Sequence, residues 1–506
     1  MAGDVALTVN GEPVVSAPTA SLLDVLREQL GLRAAKDGCS PQGQCGCCTV
    51  LVDGQPRVAC VTPIGRVAGR SVTTVEGLPA DERAAWAAAF VGAGGSQCGF
   101  CTPGIVVRLS AVRARGASDD RSVRDALLAH LCRCTGWQTI VEAYDAYGRA
   151  PVRDLEGAER RAAIEGRTAQ RVGGDVVLGG GGFADDLAPA DALVALRAAD
   201  GSWVVGETLA EARAHTAKVQ GRRTTASLRW PIELPPGDWA RTLRTTWVEP
   251  AYLEPDASWC EPGGVPATPL ANGGAFGGKT TSAVGELARR LADEHGRAVR
   301  VLYTREDVVR LGAKRPPLAA GVDRDGTGVV RVARTAGIAE VIARVAPELV
   351  VEELDVPGPP TSVAARGAGW VEAAVLVASL GSIDEVRSPE GAVARASVAD
   401  DGVSVTVRCG APLDEVVLRS YCIGAAHMAL GWVRNEGVAV DERGEPHDLT
   451  VRSFGVLRAV DTPPIEIVIE ADDGDPVNGS DAVFAAVAAA AWRTEGHPPA
   501  WPTRRR

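Results

Sequence analysis

Twelve cysteines stand in this chain of 506 residues, and the stretch Gly38–Cys60 (GCSPQGQCGCCTVLVDGQPRVAC) holds five of them. Four of the five, with three glycines and one proline, lie in its first eleven residues. A Gly-rich loop of this kind wraps its backbone closely around something small while aiming several sulfurs inward. Thr49–Val52 followed by Asp53-Gly54 reads as a strand and a tight turn, so Cys60 is expected on the returning strand, facing the loop. The spacing is Cys39-x5-Cys45-x2-Cys48-x11-Cys60, and four thiolates converging from a loop and a strand suit an iron–sulfur cluster. A structural zinc knuckle is the alternative, although zinc sites seldom use so long a Gly-rich loop. Cys47 is a spare fifth thiol, expected to point away from Cys48.

A second set reads Cys98-x2-Cys101-x30-Cys132-x-Cys134. C-x-x-C alone also serves zinc and thiol redox chemistry. Two close pairs in a helical context, directly behind the first set, point instead to a second cluster.

These sulfurs need rigid elements to hold them. Residues 4–9 and 13–16 bracket Asn10-Gly11, a hairpin signal. Thr19 or Ser21 can cap a helix that runs to Leu30 and stops at Gly31. From about Asp81 the apolar spacing turns helical, over Arg83–Gly92, Gly104–Arg115, Val123–Cys132 and Gln138–Tyr147. Beyond about residue 155, Gly-rich turns, short strands and Pro-rich joints dominate, with few long helices and a short loose tail from Trp501 to Arg506.

Bulk properties narrow the function. The chain is 46% apolar and 23% charged, with net charge −11 and no basic stripe, which argues against nucleic acid as a partner. The opening MAGDVALTVN lacks the basic and apolar regions of a signal peptide, and the apolar run Val483–Trp492 is too short to span a membrane. Many cysteines without an export signal suit metal or redox chemistry in a reducing, cytoplasmic compartment.

The segments Gln97-Cys98-Gly99-Phe100-Cys101-Thr102-Pro103-Gly104 and Leu131-Cys132-Arg133-Cys134-Thr135-Gly136-Trp137-Gln138 closely resemble the second-cluster motifs of the molybdenum hydroxylases, the xanthine oxidase family. The first set, meanwhile, is near the plant-type ferredoxin spacing C-x4-C-x2-C, with one extra residue. The resemblance implies an α+β multidomain protein. Its parts would be a β-grasp, ferredoxin-like [2Fe–2S] domain over 1–80, a four-helix [2Fe–2S] domain over 81–155, and a mixed α/β, molybdopterin-domain-like region over 156–506. It further implies that Cys39, Cys45, Cys48 and Cys60 hold a distal cluster and that Cys98, Cys101, Cys132 and Cys134 hold a proximal one. Gln97 and Cys134 would lie beside the pterin.

Fragments similar to the family's molybdopterin domain follow in order: Gly182–Asp186, Val248–Pro255, Gly273-Gly274-Ala275-Phe276-Gly277-Gly278-Lys279, and Arg366-Gly367-Ala368-Gly369 with Glu372. Gly274, Phe276, Gly277 and Arg366 are the molybdopterin-side candidates by that likeness. Departures are also plain. Only 17 residues separate Pro255 from Gly273, and no G-Q-G segment lies between Glu372 and Ala411. The family's general-base Glu in G-E-P is matched by Gly474-Asp475-Pro476, one methylene shorter, so Asp475 is a candidate base or an ordinary turn residue. The resulting expectation is an electron-transfer component of a molybdenum hydroxylase. It would relay electrons from a molybdopterin centre through two [2Fe–2S] clusters to FAD or another acceptor, with a molybdopterin-binding catalytic subunit and an FAD subunit as partners. A compact self-sufficient hydroxylase, a redox or assembly protein, and molybdopterin bound by this chain itself are the alternatives.

Overall fold

A computed structural model describes residues 3–116, 119–149, 153–218, 225–270, 272–381, 385–470 and 472–504. The N-terminal hairpin pairs β1 (Val5–Val9) with β2 (Glu12–Ser16), and its turn places Asn10 at φ 51° and Gly11 at φ 92°. β3 (Thr49–Val52) and β4 (Gln55–Val58) form a second hairpin, and β5 (Ser71–Thr73) closes a five-stranded sheet in the order β2-β1-β5-β3-β4. β5 runs parallel to β1 and antiparallel to β3, so the sheet is mixed. One face buries Leu7, Val9, Val50 and Val52 against Leu22, Leu23, Val25 and Leu26. Those leucines and valines lie on the expected helix, which is capped by Ser21 but widens to a π-helical turn over Val25–Gln29. Cys60 differs from expectation. It sits just past β4, in the 3-10 turn Ala59–Val61, where its amide donates to Cys48 Sγ at 3.4 Å.

Four helices come next: α1 (Ala80–Ala93), α2 (Thr102–Ala114), α3 (Asp120–Ala126) and α4 (Gln138–Asp145). The third was expected to reach Cys132 but ends at Ala126. Beyond a 3-10 turn the His130 backbone is extended and the Leu131 amide donates to the Cys45 carbonyl at 2.9 Å. Tertiary contact with the first cysteine loop therefore overrides helical continuation, and Cys132 and Cys134 lie in a loop.

The remaining residues build three four-stranded sheets, β7-β6-β10-β9, β13-β12-β11-β8 and β14-β15-β16-β17, from β6 (Leu193–Arg197), β7 (Trp203–Gly206), β8 (Arg241–Arg244), β9 (Ala257–Cys260), β10 (Val299–Leu302), β11 (Leu318–Val322), β12 (Gly328–Ala333), β13 (Leu349–Leu354), β14 (Glu385–Arg387), β15 (Val393–Val398), β16 (Val403–Arg408) and β17 (Ile465–Ile469). Helices α5 (Leu155–Gly166), α6 (Glu415–Arg434) and α7 (Ser480–Thr494) belong to the same region. α6 is long and apolar enough to cross a membrane, yet 89% of that stretch is buried inside the fold, which makes it a core helix. It packs along α7, with Trp432 stacked on Phe484 at 5.4 Å and Trp501 set edge-on at 4.6 Å. Long helices thus organise a region in which few were expected. The tail is not loose either: Trp501 is buried, and the amides of Thr503 and Arg504 donate to the carbonyls of Val433 and Arg434.

α6 also buries His427, whose Nε2 lies 3.2 Å from the Leu457 carbonyl, so the neutral ring donates there. Burial, with Arg133 adding to it, lowers this imidazole from 6.5 to about 4. Between those pH values the unfolded chain binds a proton that the folded chain does not. The resulting stability is complete above about pH 6.5 and is lost as pH falls towards 4. Urea unfolding at pH 7 and pH 4.5 should show this decline, and His427→Gln should flatten it; an unchanged slope in the variant would assign the decline to other groups.

Candidate metal centres

The Gly38–Cys60 loop brings Cys39, Cys45, Cys48 and Cys60 together, each at most 6% exposed. Backbone amides of Gln42 and Gln44 donate to Cys39 Sγ at 3.1 and 3.5 Å. Hydrogen bonds from the Cys45 and Cys60 thiols, together with those amides, hold the Cys39 thiol well below its usual range. Cys47 is buried beside this set, its sulfur 3.8 Å from the Cys45 carbonyl, and burial pushes its thiol up.

The second set pairs across two loops. Cys98 and Cys134 place their sulfurs 3.6 Å apart, and Cys132 Sγ lies 3.2 Å from Thr135 Oγ1. The thiol of Cys101 lowers that of Cys132 to about 6. Each set therefore favours one thiolate before any metal arrives. No group of three or more His, Cys, Asp or Glu among the described residues is arranged for a single metal ion. Sulfurs that meet as Cys98 with Cys134 and Cys101 with Cys132 suit two irons, each held by a pair. The thiol donors and the amide-to-sulfur bonds fit [2Fe–2S] groups at both sets.

Close packing locks the sets to each other and to the C-terminal region. A Cβ on Gly104, at the start of α2, would sit 2.5 Å from the Gly46 carbonyl and 2.8 Å from that of Cys47. His130 is buried between the loops. Thr49 Oγ1 donates to the Gly46 carbonyl at 2.7 Å, so the His130 Nε2–H, 3.1 Å away, donates to Thr49. Gly274 covers the second set: its φ is +81°, and a Cβ there would lie 2.9 Å from Cys98 Sγ. Arg133, between two of the cysteines, makes a bidentate pair with Glu436 at 2.6 and 2.7 Å and donates to the Pro250 carbonyl. The sequence assigned no role to any histidine and none to Arg133. The adjacency of both to Cys132 was their one available signal.

The molybdopterin-side candidates divide. Gly274 belongs to the cysteine cradle, whereas Phe276, Gly277 and Arg366 line a separate cavity with Arg167, Leu270 and Asp481. Gln97 uses its amide nitrogen on Ser420 Oγ at 2.9 Å and the Cys134 carbonyl at 3.1 Å. Arg366 donates to Asp481 at 2.9 Å and Ser480 at 2.6 Å, and its third nitrogen meets Met428 Sδ. Arg167 pairs with the same aspartate. These donors are committed within the chain and do not fit a set waiting for a pterin. Asp475 lies in an exposed turn after β17 and lines neither space.

The Arg133–Glu436 pair is at most 5% exposed. Arg133→Ala leaves the glutamate buried without its partner, at a cost of about 3–5 kcal/mol. Denaturant unfolding measures this, and a loss below about 1 kcal/mol would show that water or another donor replaces the arginine.

The [2Fe-2S] binding domain family matches residues 74–145. A probable xanthine dehydrogenase subunit of Bacillus subtilis is 39% identical over 161 residues, which is 31% of this chain and 90% of that protein. The nicotinate dehydrogenase small FeS subunit of Eubacterium barkeri is 38% identical over 135 residues, 26% of this chain and 85% of that one. The crystal structure of aldehyde oxidoreductase from Desulfovibrio desulfuricans aligns over 96% of this chain and 97% of its own, with TM-score 0.67 and 15% identity. The fold likeness thus runs far beyond the third of the chain that these two relatives match in sequence. With near-complete small subunits matched in sequence at its N-terminal part, the chain belongs to the molybdenum hydroxylase family of xanthine dehydrogenases and aldehyde oxidoreductases.

Proposed function

We propose that this oxidoreductase chain is the electron-transfer component of a multi-subunit molybdenum hydroxylase. In this reading Cys98, Cys101, Cys132 and Cys134 hold a [2Fe–2S] cluster nearest a molybdopterin centre on a partner subunit. Cys39, Cys45, Cys48 and Cys60 hold a second cluster nearer the acceptor, an FAD subunit. When bound, such groups supply one-electron oxidation and reduction.

The observation that carries the proposal is a contrast. Eight thiols stand ready in two sets joined by the Leu131-to-Cys45 hydrogen bond, while Gln97 and Arg366 are satisfied within the chain. The chain's own residues bury all of these cysteines but the half-buried Cys98, supply backbone amides to Cys39 and Cys48, and fix the path between the sets. Leu131 and His130 span that path, and Gly104 permits the close approach. Gly274 packs its backbone against Cys98 and Cys134 of the second set. The small iron–sulfur subunit among the relatives supports separate catalytic and acceptor subunits. All twelve cysteines are free thiols, which suits a reducing, cytoplasmic setting.

Metal and cofactor analysis of the isolated chain tests the reading. About four irons and four acid-labile sulfides per chain, without molybdenum, are expected for two clusters. Stoichiometric molybdopterin in the isolated chain would overturn it in favour of a self-sufficient hydroxylase.

A further inference from the structure

A groove on the C-terminal region is lined by Arg434, Arg452, Arg458 and Arg504, with Asp461 on its wall and Leu131 at its floor. Glu495 holds Arg434 at 2.9 Å and Arg504 at 2.8 Å, and Asp461 holds Arg458. Four guanidiniums against these two contacting carboxylates leave an excess of two positive charges, in a chain whose net charge is −11. Arg434 is disfavoured in its charged form by burial and then by Arg504; burial disfavours Arg452 too, with Cys45 opposing and Arg458 adding a smaller repulsion. A cluster that repels itself in this way gains from an anionic complement.

Its position matters as much as its charge. Leu131 is the residue before Cys132, and its amide is bonded to the Cys45 carbonyl. Arg452 donates to the Gln44 carbonyl at 2.9 Å and to the Leu128 carbonyl at 2.8 Å. The groove therefore lies directly over the seam between the two cysteine sets.

We propose that this groove is the docking face for an acidic, one-electron-accepting protein and that electrons leave the chain there. The inference rests on the relay proposed above. One electron passes from this chain to the acceptor; no bond forms or breaks and no proton moves. The arginines orient the acidic partner beside Gln44, next to Cys45, so the partner's redox group approaches the Cys39, Cys45, Cys48 and Cys60 set from which the relay delivers its electrons.

Two measurements on the full, iron-loaded chain test this. Ferricyanide, an anion that takes one electron, is mixed with the dithionite-reduced chain at rising NaCl. If the groove governs the encounter, the rate falls with salt because attraction is screened; if the net charge governs it, the rate rises. The double variant Arg458→Gln/Arg504→Gln removes the excess charge and should flatten or invert that dependence at unchanged iron content. Arg289→Gln/Arg290→Gln, on the exposed face of the helix Val284–His295, removes the same charge elsewhere and should leave it as in the wild type. Separately, fluorescently labelled decaglutamate should bind, and should bind about fivefold more weakly to the groove variant. A wild-type rate that rises with salt, or decaglutamate binding that is absent or equal in the two variants, would overturn the docking face. A chain with no reducible iron would instead overturn the relay, while decaglutamate binding would still report on the groove.

Discussion

The amide of Leu131 donating to the carbonyl of Cys45 is the contact on which the rest of this molecule depends. It pulls the chain out of the third helix, sets Cys132 and Cys134 in a loop, and brings that loop against the first cysteine set. His130 reinforces it by reaching Thr49, and α2 starts so close to Cys47 that only a glycine fits at position 104. Electron transfer between two centres needs a fixed separation, and this seam would supply one by bonding the two cysteine loops together. It also keeps seven of the eight cysteines buried, Cys98 being half-buried, so the thiolates are stabilised chiefly by amides and neighbouring thiols.

The C-terminal region answers the same requirement. Its charged side chains reach into the N-terminal modules at many points: Arg305 donates to the Gly38 carbonyl, Glu436 holds Arg133, and Asp185 and Asp186 take Arg27, with Asp186 also taking Lys36. Buried ion pairs of this kind add little net stability, yet each is costly to break singly. Their effect is to fix one arrangement of the cysteine loops. The buried Arg315 does the same within the region itself, bonding Glu372 through two nitrogens and lying 3.9 Å above the Trp432 ring. A scaffold built this way can be rigid while the donors of Gln97 and Arg366 are occupied by its own side chains.

Much of this was legible in the residues, and for identifiable reasons. Both cysteine sets, the two hairpins and the four-helix segment are encoded locally, by fixed spacing, by Asn10-Gly11 and Asp53-Gly54, and by helical periodicity. What stayed hidden was set by distant contacts. Nothing near Ala126 announces that the helix ends there, because the cause is the Cys45 carbonyl some 80 residues earlier in the chain. Arg366 resembles a cofactor contact by motif, and only the fold brings Asp481 and Ser480 to it. The last residues have a polar, terminal look, but Trp501 is claimed by Trp432 and Trp492. The arginine groove is equally invisible in sequence, since its members are scattered from 434 to 504 in an acidic chain.

The central claim is that two clusters sit close together in this chain and that no molybdenum centre accompanies them. Low-temperature electron paramagnetic resonance of the dithionite-reduced, isolated chain tests it most directly. The account predicts two distinct iron–sulfur signals that split one another at the lowest temperatures, as centres held across a tight seam must. A single cluster signal, two signals without mutual splitting, or a molybdenum signal of comparable intensity would contradict it.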